Sequence, residues 1–204
     1  MPKDQTVDPA VSRAKLEREV AQFRAMEPAY RRKGWLRLGA SYPEVLVAFA
    51  ATKLMPPAIV GAVLVDFTDY DLKPLSVRFV NPFTREPVTR MNLPMSMPRR
   101  PPVHGAAPEA VGAMIMQGLL PVTDCIQANG PDAPPFLCLP GVREYHDNPA
   151  HTGDPWLLHR ASGEGSLAFI LDKIWAYGVN TVEQYQFQVQ VNMLLQPAPH
   201  AILE

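Results

Sequence analysis

The chain has 204 residues, 47% of them hydrophobic and 19% charged, enough for one ample domain with a real core. Nineteen Lys and Arg against twenty Asp and Glu leave a net charge of -1, which argues against a nucleic-acid binder held by bulk charge. Twenty-three prolines, about 11% and roughly twice the usual share, argue against a helix bundle, because interior proline breaks the helical hydrogen-bond ladder.

The spacing predicts a leading helix over 11–33. Asp8 before Pro9 is a start signal, and Leu16, Val20, Phe23 and Tyr30 fall near one face. Pro28 should kink or end its regular part. The Arg31-Arg32-Lys33 run reads as a solvated helix end. Strands are expected within 44–80. Glu44 to Leu54 and Ile59 to Phe67 are apolar and β-branched, with Met-Pro-Pro between them, and Leu75 to Val80 alternates as a third, half-buried strand. A proline-rich excursion follows over 81–135, expected on the surface, with a short helix from Pro108 to Gln117. Residues 166–195 close the pattern. Leu167, Ile170, Leu171, Ile174 and Trp175 form a core-facing helix stripe, and Tyr185 to Val191 alternates with glutamines as a terminal strand.

The two cysteines, Cys125 and Cys138, are too few for a disulfide framework and fit a reducing compartment. A polar N-terminus and the lack of a long apolar run predict a cytoplasmic protein without a membrane span.

Chemistry concentrates in 136–160, FLCLPGVREYHDNPAHTGDPWLLHR, which holds three of the five histidines. Cys138, Glu144, His146 and His151 are spaced Cys-x5-Glu-x-His-x4-His. Thiolate, carboxylate and imidazole are side chains that bind zinc or another first-row metal. Turns at Pro140-Gly141 and Asn148-Pro149 could bring the four together. Bland readings exist for each: Cys138 as a buried strand residue, a histidine as a surface group, Arg143 paired with Glu144. Asp154 and His159 are reserves that could fix an imidazole by hydrogen bonding.

The runs Cys138-Leu139-Pro140-Gly141, Arg143-Glu144-Tyr145-His146 and Pro149-Ala150-His151-Thr152-Gly153-Asp154-Pro155-Trp156 resemble a bacterial metal-binding family named for its Cys, Glu, His, His set. That family is associated with gene neighbourhoods for ubiquitin-like proteins, their activating and conjugating enzymes, and deubiquitinase-like peptidases. The resemblance implies that Cys138, Glu144, His146 and His151 are the metal ligands, with Zn2+ as the expected cofactor. It implies a ubiquitin-like protein, or its activating or conjugating enzyme, as partner, with neither nucleic acid nor membrane.

The order of elements, with Asp71 to Val80 followed by Phe136-Leu137-Cys138-Leu139, is similar to a ubiquitin-conjugating enzyme. It implies an α+β single domain over 1–204, an antiparallel sheet flanked by helices, with Cys138 at the thioester position. The His-Pro-Asn tripeptide of that family is absent before Cys138, and the histidines follow it instead. The expectation is therefore a zinc-binding component of a bacterial ubiquitin-like conjugation pathway. The alternatives are a conjugating enzyme forming a thioester at Cys138, a zinc-dependent hydrolase, and a structural zinc site.

Overall fold

The computed structural model describes residues 5–99, 103 and 105–184. Helix α1 (Pro9–Ala25) starts where Asp8 accepts a hydrogen bond from the Ala10 N–H at 2.8 Å. Pro28 cannot donate to the Arg24 carbonyl and its ring crowds that carbonyl. The expected single helix accordingly divides, and α2 (Glu27–Arg32) follows as a separate short segment.

Four strands form an antiparallel meander in the order β1-β2-β3-β4: β1 (Trp35–Ser41), β2 (Glu44–Ala51), β3 (Ala58–Asp66) and β4 (Ser76–Phe79). The register pairs Trp35 with Phe49, Val45 with Val65, and Val65 with Val77. Because successive side chains point to opposite faces, each strand serves two clusters. Val45, Val47, Phe49, Val63, Val65, Val77 and Phe79 share the main core with Leu16, Val20 and Phe23 of α1. Leu46, Ala48, Ala62, Leu64 and Val80 form a second cluster with Leu36. The sheet is thus α+β in class and flanked by helices, as expected. Strand β1 was not foreseen: Leu-Arg-Leu-Gly-Ala-Ser has no β-branched residue, and pairing with β2 along one edge supplies what propensity lacks.

The 81–135 excursion departs from its expected surface position. Leu93, Met95 and Met97 are buried in the main core. Asp124 organises the return of the chain, accepting from the Met97 and Ile126 N–H groups at 2.8 Å each and pairing with Arg90 at 2.9 Å. Two short antiparallel pairs result, β5 (Pro98–Arg99) with β6 (Thr123–Asp124), and β7 (Ile126–Gln127) with β8 (Phe136–Leu137). Helix α3 (Pro108–Met116) lies between β5 and β6 in sequence, as predicted. After the short α4 (Arg143–His146), helix α5 (Leu167–Ile174) buries Leu167, Ile170, Leu171 and Ile174, then runs into one π-helical turn, Trp175–Val179. Its first amide, Leu167 N–H, donates to the buried Glu19 carboxylate of α1 at 3.1 Å, and Ser166 caps it. The predicted terminal strand from Tyr185 lies outside the described residues. Among the described residues no helix is long and apolar enough to cross a membrane.

Candidate functional site

Cys138 leaves β8 directly after Leu137, and its N–H continues the ladder to the Cys125 carbonyl at 2.7 Å. The chain then turns through Pro140-Gly141. A Cβ on Gly141 would overlap the Glu164 carbonyl, so the close approach of these two backbone segments requires glycine. Beyond the turn, Val142 bridges Leu75, and the Arg143 N–H donates to the Leu75 carbonyl at 2.8 Å. The Arg143 guanidinium takes the Thr68 carbonyl and, at 3.1 and 3.2 Å, the Pro74 carbonyl. Arg143 therefore anchors α4 to the loop before β4, and it does not pair with Glu144.

The four proposed ligands do not converge. Cys138 and His151 meet, with Sγ 3.3 Å from Nε2. Glu144 instead staples α4 to β4, accepting from the Ser76 hydroxyl and from the Val77 N–H at 3.1 Å. His146 has both ring nitrogens against carbonyl oxygens, Nδ1 on Asp154 at 2.9 Å and Nε2 on Pro140 at 2.5 Å. Both ring nitrogens are thus turned to the backbone and away from Cys138 and His151. Among the described residues no group of three or more His, Cys, Asp or Glu is placed to hold a metal ion. In this arrangement the donor set expected for Zn2+ is not assembled, because two of its members hold the fold together.

What surrounds the Cys138–His151 contact was only half visible in the sequence. Tyr145 stacks on the His151 ring with centroids 3.8 Å apart and planes at 19°. Its hydroxyl donates to Asp154 Oδ2 at 2.7 Å. Asp154 Oδ1 in turn meets His159 Nε2 at 2.7 Å, and His159 Nδ1 meets Glu164 Oε2 at 2.7 Å. Asp154 and His159 thus brace the site through Tyr145 rather than by gripping a ligating imidazole. Tyr145 was missed, since an aromatic between Glu and His reads as core, and only its contact with both His151 and Asp154 gives it away.

Charge follows from these contacts. Hydrogen bonds from Tyr145 and His159 hold the Asp154 carboxyl below its usual range. Asp154 foremost, with Glu164, raises His159. Burial and the neighbouring Asp154 push Tyr145 up to about 12, so it remains a hydroxyl donor. Burial also raises the Cys138 thiol, with Arg99 acting in the opposite direction. Cys138 is 4% exposed. Beside it opens a cavity of about 770 Å³, whose walls include Met97, Arg99, Cys125, Leu139, Lys173 and Tyr177. Cys125, whose carbonyl takes the Cys138 N–H, and the next residue, Leu139, both line it. The remaining histidines, His104 and His200, lie outside the described residues.

The model of the Y4jH-like family matches residues 7–182, which takes in the sheet, the excursion and the whole Cys138–His159 segment. A bacterial protein, y4jH of Sinorhizobium fredii (strain NBRC 101917 / NGR234), is 54% identical over 206 residues, spanning all of both chains.

Proposed function

The chain belongs to the Y4jH-like family, and on that premise we propose that it serves a bacterial ubiquitin-like conjugation pathway, with Cys138 receiving the carboxyl terminus of a ubiquitin-like protein as a thioester. The observation that carries this reading is the 3.3 Å contact between Cys138 Sγ and His151 Nε2. Burial keeps the resting thiol protonated, so a base within reach is what makes it a nucleophile. His151 Nε2 takes the thiol proton while Cys138 Sγ attacks the carbonyl carbon of a donor thioester. A new carbon–sulfur bond forms at Cys138 as the donor's breaks, and the departing thiolate recovers the proton from His151. Tyr145, braced by Asp154, fixes the plane of the imidazole. The similarity of the element order to conjugating enzymes supports the choice of acyl donor.

A second reading, a zinc-binding component of the same pathway, draws on the same contact, because thiolate and imidazole are zinc ligands. It requires Glu144 to leave Ser76 and Val77, and His146 to leave two carbonyls. A zinc-dependent hydrolase requires the same departures and an open coordination position besides.

The test is incubation of the untagged protein with an activating enzyme already charged with its ubiquitin-like partner. A thiol-labile adduct is expected, absent in Cys138→Ala and formed about 100-fold more slowly in His151→Ala. No adduct from a charged donor overturns the thioester reading. One equivalent of zinc in the untagged protein, lost in both Cys138→Ser and His151→Ala, establishes the second reading in its place.

A further inference from the structure

Cys125 lies directly opposite Cys138. The β7–β8 register pairs Gln127 with Phe136 and Ile126 with Leu137, and the next step pairs the two cysteines, marked by the Cys138 N–H bond to the Cys125 carbonyl at 2.7 Å. The Cys125 N–H donates to the Met97 carbonyl at 2.9 Å, so one bond joins the two cysteines; residues opposed across antiparallel strands stand about 4.5–5.5 Å apart at Cα, with side chains on the same face. A disulfide spans Cα separations of about 4.4–6.8 Å. Both thiols are free. Each lies within electrostatic reach of Arg99, and Cys125 within reach of Cys138.

We infer that Cys125 and Cys138 form a redox-modification site, closing into an intrachain disulfide under a hydroperoxide. The cavity walled by Cys125, Arg99 and Leu139 has room for a molecule of that size and reaches the pair from the Cys125 side. The Cys138 sulfur attacks the terminal peroxide oxygen, the S–O bond forms as the O–O bond breaks, and the Cys138 proton leaves on the departing oxygen. This leaves a sulfenic acid on Cys138 and releases water or an alcohol. The Cys125 sulfur then attacks the sulfenic sulfur. The S–S bond forms, the S–O bond breaks, and a second water leaves with the Cys125 proton. Overall, two thiols are oxidised by two electrons and one peroxide bond is reduced. Where Cys138 carries the thioester chemistry proposed above, the bridge withdraws it from use until a dithiol restores both thiols. Cys125 also spares Cys138 from climbing to the irreversible sulfinic and sulfonic acids.

The experiment treats reduced protein with one equivalent of hydrogen peroxide and needs no acyl donor, so its outcome is independent of whether Cys138 accepts an acyl group. Titratable thiols should fall from two per chain to none. Peptide mapping should join the Cys125 peptide to the Cys138 peptide within one chain, and dithiothreitol should reverse both changes. Cys125→Ser should instead hold a sulfenic acid at Cys138, which a second equivalent of peroxide carries to the sulfinic acid. The wild-type map stands alone if that variant does not fold. Two thiols still titratable, a bridge between chains, or over-oxidation of Cys138 in wild type beside a free Cys125 each overturns the inference.

Discussion

The sheet and the segment that carries Cys138 are held by different forces. The meander is secured by valines and phenylalanines interdigitating on two faces, so each residue contributes a share of a broad apolar contact. The segment from Pro140 to Glu164 has α4, two short 3-10 turns and few buried apolar residues. It is tied down by single polar groups: Arg143 and His146 on backbone carbonyls, Glu144 on the Ser76 hydroxyl and the Val77 N–H, and Tyr145–Asp154–His159 on one another. The difference teaches that the fold and the site can fail separately. Apolar contacts make the sheet one cooperative unit, whereas each polar staple can be removed without dissolving its neighbours.

The largest effect should come from the sheet. Phe49→Ala, at a fully buried position facing Trp35, is expected to cost about 3–5 kcal/mol in urea or thermal melts. Labelling of Cys138 by a thiol reagent should accelerate only as the whole domain opens. Next is Arg143→Ala, which releases the Thr68 and Pro74 carbonyls and should cost about 1.5–3 kcal/mol. In that variant labelling of Cys138 should accelerate at urea concentrations that leave the far-ultraviolet dichroism unchanged. If reactivity and dichroism instead change together, the two regions are one cooperative unit and the contrast drawn here collapses.

Glu144→Gln should be milder, about 1 kcal/mol by denaturant titration, because the amide oxygen can still accept from Val77. The smallest effect is that of His159→Gln, and it should depend on pH. The His159 pKa is raised above its ordinary 6.5, so its contribution is complete below that value and disappears as pH rises through the folded-state pKa. Asp154 is lowered from 3.8, so its contribution is present above that value and is lost as pH falls through the folded-state pKa. The melting difference between wild type and His159→Gln should therefore peak between the two ordinary values and shrink at alkaline pH. A difference that grew with pH would contradict the His159–Asp154 contact.

Periodicity made the sheet largely legible. Alternation at Leu75 to Val80 and β-branched runs at 44–51 and 58–66 report burial directly, because packing selects those side chains. Strand β1 escaped because an edge strand borrows its stability from the neighbour it pairs with. The methionines of the excursion escaped too, since a proline-rich stretch reads as surface until Met95 and Met97 are seen filling the core. In the site, the structure brings Cys138 to His151 and places Glu144 and His146 against other partners. Cys, Glu and two His at ligand-like intervals look alike whether they face a metal or backbone carbonyls, and the difference lies in Ser76, Val77 and Pro140, to which no motif points.

Glu19 has a consequence for how the chain is completed. Its carboxylate is buried on α1, yet the amide it receives belongs to Leu167, 148 residues further along. A chain made only as far as Ser166 has the acid, with Arg18 beside it at 3.4 Å, but not the helix end that donates to it. Without α5, α1 would have to expose that face or bury a carboxylate lacking this donor. The first helix is thus written for a surface that does not exist until nearly all the described chain has emerged, and a truncated product carries the mark of its incompleteness at its beginning.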